Sequence, residues 1–280
     1  MHGELSIVSD ALQALAEFTH TELPERRSCP RCNATRVHRW GSFSGRKRYR
    51  CLGCRRTFSD LTGTPAAYSK RIAMWAEHCE CMRGRLTLRK IAARLEIALS
   101  TAFRWRHVTL DYARSNDRTM LQGEIELDHL RLAYSEKGSR QLKRPPRKRG
   151  ARCKDPFLLS TPRVNVVSAW ARSDRGYSRL VDSQTYGADD LREVLLPRIR
   201  TPATIISRRG PMSSQAVLAK AAGASFRWVQ REEMPGYHTR NVGAFQRRLV
   251  AFLRPFCGVA TKYLENYLKW HRLMDAHVAA

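Results

Sequence analysis

Four cysteines in the first quarter of the chain form two pairs that could hold a metal ion. Each pair has the form Cys-x-x-Cys, and eighteen residues separate the two pairs. This spacing is typical of a zinc site, in which four thiolates surround the ion at about 2.3 Å each. Two disulfides, or four unrelated thiols, are the alternatives; a proline in the first pair and a glycine in the second favour zinc. The predicted ligands of one structural Zn²⁺ are Cys29, Cys32, Cys51 and Cys54.

The residues between the two cysteine pairs have the pattern of a β-hairpin. Two runs, Val37–Trp40 and Arg46–Arg50, flank a Gly-Ser-Phe-Ser-Gly turn. Alternation around a glycine-rich turn indicates two antiparallel strands. A hairpin held between two Cys-x-x-Cys turns is a zinc ribbon, which we assign to residues 23–65.

The chain carries far more positive than negative charge. Lys and Arg number 51 against 25 Asp and Glu, which gives a net charge of +26 over 280 residues. Such an excess destabilises a compact state by self-repulsion, so the charge favours a polyanionic partner. The alternative is a basic protein that has no partner. No apolar run approaches the ~20 residues of a membrane span, so nucleic acid is preferred to a membrane. In the ribbon the expected DNA contacts are Arg46, Lys47 and Arg48.

Two short helical segments joined by a tight turn follow the ribbon. Leu86–Ile97 and Ala98–Arg106 have the spacing of two helices, with Thr87 and Ser100 as their N-caps. This pattern predicts a helix-turn-helix within residues 66–118, whose second helix would enter a DNA groove, and a generic helical hairpin is the alternative. The expected base contacts are Ser100, Thr101 and Arg104, and the expected phosphate contacts are Arg106 and His107.

The second half of the chain mixes strand and helix patterns, which predicts one α/β domain over residues 119–280. Gly123–Tyr134 alternates polar and apolar residues like a half-buried strand. Further strands are expected at Arg163–Ala171, Tyr177–Val181, Ala203–Ser207 and Ser225–Val229. Further helices are expected at Asp189–Ile199, Ser213–Ala222, Gly243–Phe256 and Thr261–Met274.

Residues 137–154 are too basic and proline-rich to fold alone. We interpret them as a loop that becomes ordered on contact with phosphates, and a solvated linker is the alternative. The expected phosphate contacts in this loop are Lys143, Arg144, Arg147, Lys148 and Arg149.

Several short motifs, spread in order over nearly the whole chain, point to a known family. They are Arg48-Tyr49-Arg50-Cys51, Thr57-Phe58-Ser59, Thr62-Gly63-Thr64, Ser100–Arg106, Glu126-Leu127-Asp128, Tyr134–Arg140, Arg147–Gly150 and Gly258–Trp270. Together they resemble the insertion-sequence transposases of the IS-fifteen-ninety-five group. The resemblance implies a multidomain α/β protein with a zinc ribbon, a helix-turn-helix and an RNase-H-like nuclease domain. It also implies terminal inverted-repeat DNA as substrate and two Mg²⁺ ions as cofactors.

One replacement in the implied nuclease site decides the functional prediction. The resemblance places the first metal ligand at Asp128 and the third at Asn241, and both residues are present. The second ligand, an aspartate expected after the strand Ala203–Ser207, is replaced by Arg209. A guanidinium about 4 Å from a doubly charged ion costs about 8 kcal/mol at an effective dielectric constant near 20. The sequence thus favours a protein that binds DNA and has lost strand cleavage.

Two other functions stay open at this point. In the first, a different carboxylate replaces the lost ligand and the protein is an active Mg²⁺-dependent transposase. The candidate substitutes are Asp174, Asp182 and Glu126. In the second, the chain is a zinc-ribbon and helix-turn-helix transcriptional regulator unrelated to transposition.

The remaining expectations concern the N-terminus, assembly and location. Residues 1–22 have the spacing of an amphipathic helix and lack the basic cluster of a signal peptide. Eight cysteines without a secretion signal suit a reducing cytosol. We therefore expect a cytoplasmic, nucleoid-associated bacterial protein, and the resemblance leaves a homodimer open.

Overall fold

The computed structural model describes residues 28–43, 45–67, 69–115, 119–142, 162–173, 175–181, 187–230 and 236–275. The expected N-terminal helix, the five cations of the basic loop between Lys143 and Arg149, and the candidate ligands Asp174 and Asp182 lie outside these residues. The chain divides into two compact units, Met1–Ser115 and Asn116–Ala280. No helix in the described ranges combines the length and the apolar character needed to cross a membrane.

The described part of the first unit contains a small antiparallel sheet in the order β1-β2-β3. Its strands are β1 (Val37–Phe43), β2 (Arg46–Cys51) and β3 (Thr57–Ser59). The predicted hairpin is present, with Val37 opposite Cys51 and Phe43 opposite Arg46. Tyr49 stacks on Phe58 with ring centroids 5.6 Å apart, and both rings are buried beside the cysteines. The third strand was not predicted, because three residues are too few to show an alternating pattern.

Three α-helices follow in the described part of the first unit: α1 (Trp75–Arg83), α2 (Leu88–Arg94) and α3 (Leu99–Ser115). Trp75 on α1 stacks on Trp105 on α3, with ring centroids 4.9 Å apart. The imidazole of His78 meets both indoles edge-on, at 5.4 and 5.6 Å. These contacts join the first helix to the third, while the buried Ile91 anchors α2.

The turn between α2 and α3 corrects one predicted cap. Glu96 adopts a left-handed conformation with φ 49°, which closes the tight turn. The helix α3 starts at Leu99 and its first turn is closed by a hydrogen bond from Ala102 N to Ala98 O. Ser100 therefore lies inside the first turn and is not the N-cap. Thr87 does precede α2 as its cap residue, but its side chain makes no capping hydrogen bond.

The second unit contains a five-stranded sheet in the order β6-β5-β4-β7-β8. The strands are β4 (Leu121–Ala133), β5 (Arg163–Ala171), β6 (Arg175–Val181), β7 (Ile199–Ser207) and β8 (Ser225–Trp228). The pairs β4–β5 and β5–β6 are antiparallel, whereas β7 runs parallel to β4 and β8 runs parallel to β7. The longest strand, β4, therefore lies at the centre, with an antiparallel half on one side and a parallel half on the other.

Helices of the second unit provide the buried residues that pack on the sheet: α4 (Ala188–Leu195), α5 (Ser214–Ala221), α6 (Arg240–Leu253) and α7 (Thr261–Asp275). One core joins Ile125 and Leu127 of β4 to buried side chains of α4 and α5. A second core joins Val164 and Val166 of β5 to Leu249 of α6 and to α7. Because strand side chains alternate between faces, Glu126 and Asp128 lie on the face opposite Ile125 and Leu127.

Candidate functional site

The four cysteines of the first unit converge as a metal site requires. Their sulfur atoms all lie within 4.8 Å of one another. The distance between Cys29 Sγ and Cys54 Sγ is 3.7 Å, and that between Cys32 Sγ and Cys51 Sγ is 3.5 Å. A tetrahedral zinc site with ion–sulfur distances of about 2.3 Å has sulfur–sulfur edges of about 3.8 Å. The cluster could therefore hold a zinc ion, and the separation of the sulfurs does not correspond to disulfides.

The backbone around the cysteines supports the same geometry. Arg31 N lies 3.5 Å from Cys29 Sγ, and Cys54 N lies 3.4 Å from Cys51 Sγ, so backbone N–H groups point at the sulfurs. A Cβ atom at Gly53 would lie 3.2 Å from the Ala34 side chain and 3.8 Å from Cys32 Sγ. A side chain at position 53 would therefore crowd the second turn, which explains the glycine between the two cysteines.

In the absence of a cation the thiols ionise unequally. Burial acts to raise the pKa of Cys29, but hydrogen bonds from the backbone of Arg31 and Cys32 and from neighbouring thiols lower it to about 6. For Cys32 the backbone hydrogen bond from Ala34 lowers the pKa, yet the neighbouring thiols and burial raise it to about 11. Four clustered thiolates repel one another, so full ionisation of the site requires a bound cation.

The ribbon cations predicted to contact DNA differ in how they are placed. Arg46 forms an ion pair with Asp60 and is half-buried. Arg48 donates from Nη2 to Thr57 Oγ1 at 3.3 Å, while Lys47 is exposed. The edge strand β1 beside them exposes two large aromatic side chains, Trp40 at 46% and Phe43 at 72%.

The predicted base-reading residues lie at the start of α3. Ser100 and Arg104 are exposed and Thr101 is half-buried. Because residues four apart share one face of a helix, Ser100 and Arg104 form a single outward-facing stripe. Their contact with DNA remains a proposal.

The structure corrects the expected phosphate contacts Arg106 and His107. Arg106 is 1% exposed, and its Nη2 donates to the carbonyl oxygen of Leu86. His107 is 8% exposed and its ring contacts Phe103 at 4.3 Å. Burial, together with the charge of Arg106, lowers the pKa of His107. Both side chains point into the helical core, so they support α3 and do not reach a phosphate.

On the second unit, Glu126 is completely buried beneath the start of α6. Its Oε2 accepts hydrogen bonds from Asn241 N at 2.9 Å and Val242 N at 3.0 Å. Its Oε1 accepts from Asn241 Nδ2 at 2.8 Å and from Arg172 Nε at 3.3 Å. The carboxylate thus caps the N-terminus of α6 and neutralises an arginine, which leaves it committed to structural contacts.

Asp128 lies two residues further along the same face of β4 and is paired with an arginine. Arg208 Nη2 donates to Asp128 Oδ2 at 3.0 Å, and His129 N donates to Oδ1 at 2.8 Å. Burial acts to raise the pKa of Asp128, but the hydrogen bonds from His129 and Arg208 outweigh it and lower the pKa. The carboxylate is therefore ionised and already neutralised by a neighbouring cation.

Arg209, at the expected position of the second metal ligand, faces the ring of His129. Its Nη2 lies 3.3 Å from Nδ1 and 3.0 Å from Nε2 of that ring. Its backbone N–H donates to Ser207 Oγ at 3.1 Å. Within the described part of the chain, no carboxylate forms an ion pair with Arg209.

No set of oxygen ligands is therefore formed by Asp128 on β4, Arg209 after β7 and Asn241 at the start of α6. Asn241 reaches the site only through Glu126, since no hydrogen bond within the described residues joins it to Asp128. Among the residues that the structure describes, the four cysteines form the only group of three or more His, Cys, Asp or Glu side chains placed to share an ion.

Sequence reasoning missed two arginines of this site. Arg208 could have been found, because it adjoins Arg209 at the end of the strand predicted to carry the second ligand. Arg172 gave no comparable signal, since its pairing with Glu124 and Glu126 depends on the register of β5 against β4.

Comparison with known proteins gives one relevant match. No family model matches the chain, and no solved structure matches it. Over 124 residues the chain is 32% identical to an "Uncharacterized protein in transposable element ISH50" of Halobacterium salinarum. The matched segment spans 44% of this chain and 42% of that protein. The chain is thus similar, over less than half of either sequence, to an uncharacterised protein of a transposable element.

Proposed function

We propose that the protein is a DNA-binding protein of a bacterial insertion sequence that derives from a transposase and no longer cleaves DNA strands. Its substrate would be the terminal inverted repeats of the element, bound in the cytoplasm on the nucleoid. The similarity to a transposable-element protein supports the ancestry. The observation that carries the loss of cleavage is the ion pair of Arg208 with Asp128, together with Arg209 against the neighbouring His129.

The topology of the second unit supports an RNase-H-like domain. Counting within this unit, the strand order is third, second, first, fourth and fifth, with the first three antiparallel and the last two parallel to the first. Asp128 lies on the first strand and Asn241 at the start of a helix after the fifth, as the family resemblance implies. This sheet favours a transposase ancestry over a transcriptional regulator unrelated to transposition.

Charge explains why such a site would not bind Mg²⁺. This ion requires oxygen ligands in near-ideal octahedral geometry and usually one or two carboxylates. Asp128 is neutralised by Arg208, and Glu126 is occupied by the start of α6 and by Arg172. A metal ion would have to displace one guanidinium and tolerate a second, at about 8 kcal/mol for each cation about 4 Å away. The same reasoning disfavours Glu126 as the substitute ligand.

The first unit would supply DNA recognition. Zn²⁺ bound by the four cysteines would hold the ribbon, and the exposed stripe of Ser100 and Arg104 would read bases in the major groove. A net charge of +26 supports additional contacts with phosphates.

Binding to a duplex that carries the terminal repeats of the element, compared with a scrambled duplex of equal length, tests this proposal. We expect preferential binding of the repeat duplex. Arg104→Ala should reduce that preference by about 1–3 kcal/mol, as expected for one lost base contact. The control Arg192→Ala removes an exposed cation from α4 and should leave the preference unchanged. Equal affinity of the unmodified protein for both duplexes would contradict the proposed recognition.

A further inference from the structure

We propose that the exposed turn after β7 is an anion site that binds a backbone phosphate of DNA, with Arg208 and Arg209 as its ligands. The identity of the phosphate as part of DNA rests on the proposed function, whereas the anion site itself rests on geometry alone. Four observations carry this inference: the unsatisfied guanidinium of Arg209, the fixed position of Arg208, the rigid turn that bears both, and the local charge.

Arg209 has hydrogen-bond donors available for a ligand. The two ring nitrogens of His129 flank a single carbon atom, so an atom 3.0 and 3.3 Å from them cannot lie along the lone pair of either. This contact with the ring involves only Nη2, and the N–H groups of Nε and Nη1 form no hydrogen bond within the described residues. A guanidinium has five such donors in a planar fork that matches the oxygens of a phosphate.

Arg208 is held in place by a carboxylate and still faces solvent. Its side chain is 66% exposed, although Nη2 donates to Asp128 Oδ2 at 3.0 Å. Asp128 is only 19% exposed, so it fixes the guanidinium from below. Arg208 can therefore keep this contact while its remaining N–H groups bind an oxygen from outside the protein.

The turn that carries both arginines is formed before any ligand binds. Trp228 Nε1 donates to Arg208 O at 3.3 Å, and the indole lies against Gly210, where an added Cβ would be 3.6 Å from the ring. Ser207 Oγ accepts from Arg209 N at 3.1 Å. A preformed turn lowers the ordering cost of binding, because the loop is not immobilised by the ligand.

The local charge favours an anion over a cation. The carboxylate of Asp128 pairs with Arg208, whereas the guanidinium of Arg209 pairs with no carboxylate within the described residues. Glu124 and Glu126, the other two carboxylates of β4, both pair with Arg172. The exposed groups of the turn are therefore the two guanidiniums, and within the described residues Asp128 is the only carboxylate that pairs with either of them, through Arg208.

Salt-dependent DNA binding by the full-length protein tests the site. Each phosphate contact contributes about 0.9 to the slope of log affinity against log salt concentration. We expect Arg208→Gln combined with Arg209→Gln to reduce the magnitude of this slope by about 1–2. Arg209→Gln alone, which leaves the ion pair of Asp128 intact, should reduce it by about 1. The control Arg192→Gln should leave it unchanged, and an unchanged slope in the double variant would overturn the proposal.

Asp128→Asn provides a test of opposite sign. Removal of the carboxylate that pairs with Arg208 should raise DNA affinity severalfold in buffer that contains Zn²⁺ and no Mg²⁺. Unchanged or weaker binding by Asp128→Asn would count against a phosphate beside Arg208.

Inorganic phosphate separates failure of this site from failure of the proposed function. If the protein binds no DNA, the proposed function fails, but the anion site can still be examined by ligand-induced stabilisation. At constant ionic strength, phosphate in place of chloride should raise the melting temperature of the Arg192→Gln control more than that of the double variant. Equal increases in the two proteins would overturn the anion site.

Discussion

Substitution of Glu126 by glutamine should destabilise the protein even in the absence of any metal. The carboxylate is completely buried, and it accepts hydrogen bonds from Asn241 N, Val242 N, Asn241 Nδ2 and Arg172 Nε. Glutamine has nearly the same shape but replaces one acceptor oxygen by an NH₂ group. In either orientation of the side-chain amide, the NH₂ group faces N–H donors, and it cannot accept their hydrogen bonds.

The magnitude follows from the contacts that are lost. A hydrogen bond to a charged group contributes about 1.5–3 kcal/mol, and an anion at a helix N-terminus contributes about 0.3–1 kcal/mol. We therefore expect Glu126→Gln to lower the free energy of unfolding of the second unit by about 2–4 kcal/mol. For a domain of this size that loss corresponds to a decrease in melting temperature of about 4–16 °C.

Thermal unfolding followed by circular dichroism, in buffer with Zn²⁺ and without Mg²⁺, gives the melting temperature. Hydrogen exchange of peptides that cover α6 (Arg240–Leu253) then locates the loss, because the amides of Asn241 and Val242 should exchange faster. Glu124→Gln is the matched control. Glu124 lies on the same face of β4 and pairs with the same arginine, but it is 39% exposed, so its loss should cost less than about 1 kcal/mol.

The sign of the effect discriminates between two roles for Glu126. If this residue were the substitute metal ligand, its charge in the metal-free protein would repel that of Asp128, and glutamine would relieve the repulsion. A higher melting temperature for Glu126→Gln without Mg²⁺ would therefore refute the structural role and support Glu126 as a metal ligand.

Three further predictions concern the first unit. Removal of zinc by a strong chelator should unfold the ribbon and change the far-ultraviolet circular dichroism, because four thiolates have no other reason to converge; an unchanged spectrum would argue against a structural ion. Burial and the charge of Arg106 lower the pKa of His78 from 6.5 to about 4, so the unfolded state binds more protons below pH 6.5. Stability should therefore fall by up to about 3 kcal/mol between pH 6.5 and pH 4, and His78→Phe should remove this part of the pH dependence in urea titrations. Arg106→Met should lower the free energy of unfolding by about 1–3 kcal/mol, because the Leu86 carbonyl loses its hydrogen-bond donor. The preference for the repeat duplex should be retained, in contrast to Arg104→Ala. A folded Arg106→Met protein with equally impaired recognition would show that Arg106 contacts DNA after all.

The sequence predicted features that depend on local pattern or spacing. The two Cys-x-x-Cys pairs and the alternation around them were enough to place the sulfurs together, because the hairpin between the pairs returns the chain to its start. Alternation along Gly123–Tyr134 likewise placed Glu126 and Asp128 on one face of a strand. In both cases one short segment carries the whole signal.

Other features depend on contacts that no local pattern contains. The capping of α6 by Glu126 joins residues 115 positions apart. Arg106 is buried with its guanidinium bonded to a carbonyl in a preceding turn, and no local sequence pattern reveals that contact. From the sequence, its charge alone suggested a phosphate contact. The start of β7 was placed four residues too late, at Ala203 and not Ile199, because Pro202 cannot donate to a sheet. The observed strand accommodates this proline at a shift in register against β4.

Nicking of supercoiled plasmid DNA that carries the terminal repeats measures the central claim directly. The unmodified protein and Asp128→Ala are incubated in buffer that contains Zn²⁺, with or without Mg²⁺, after binding to the same DNA has been verified. Arginines beside Asp128 predict no Mg²⁺-dependent nicking by either protein. Nicking by the unmodified protein that requires Mg²⁺ and disappears in Asp128→Ala would contradict the account and show an active transposase with other ligands.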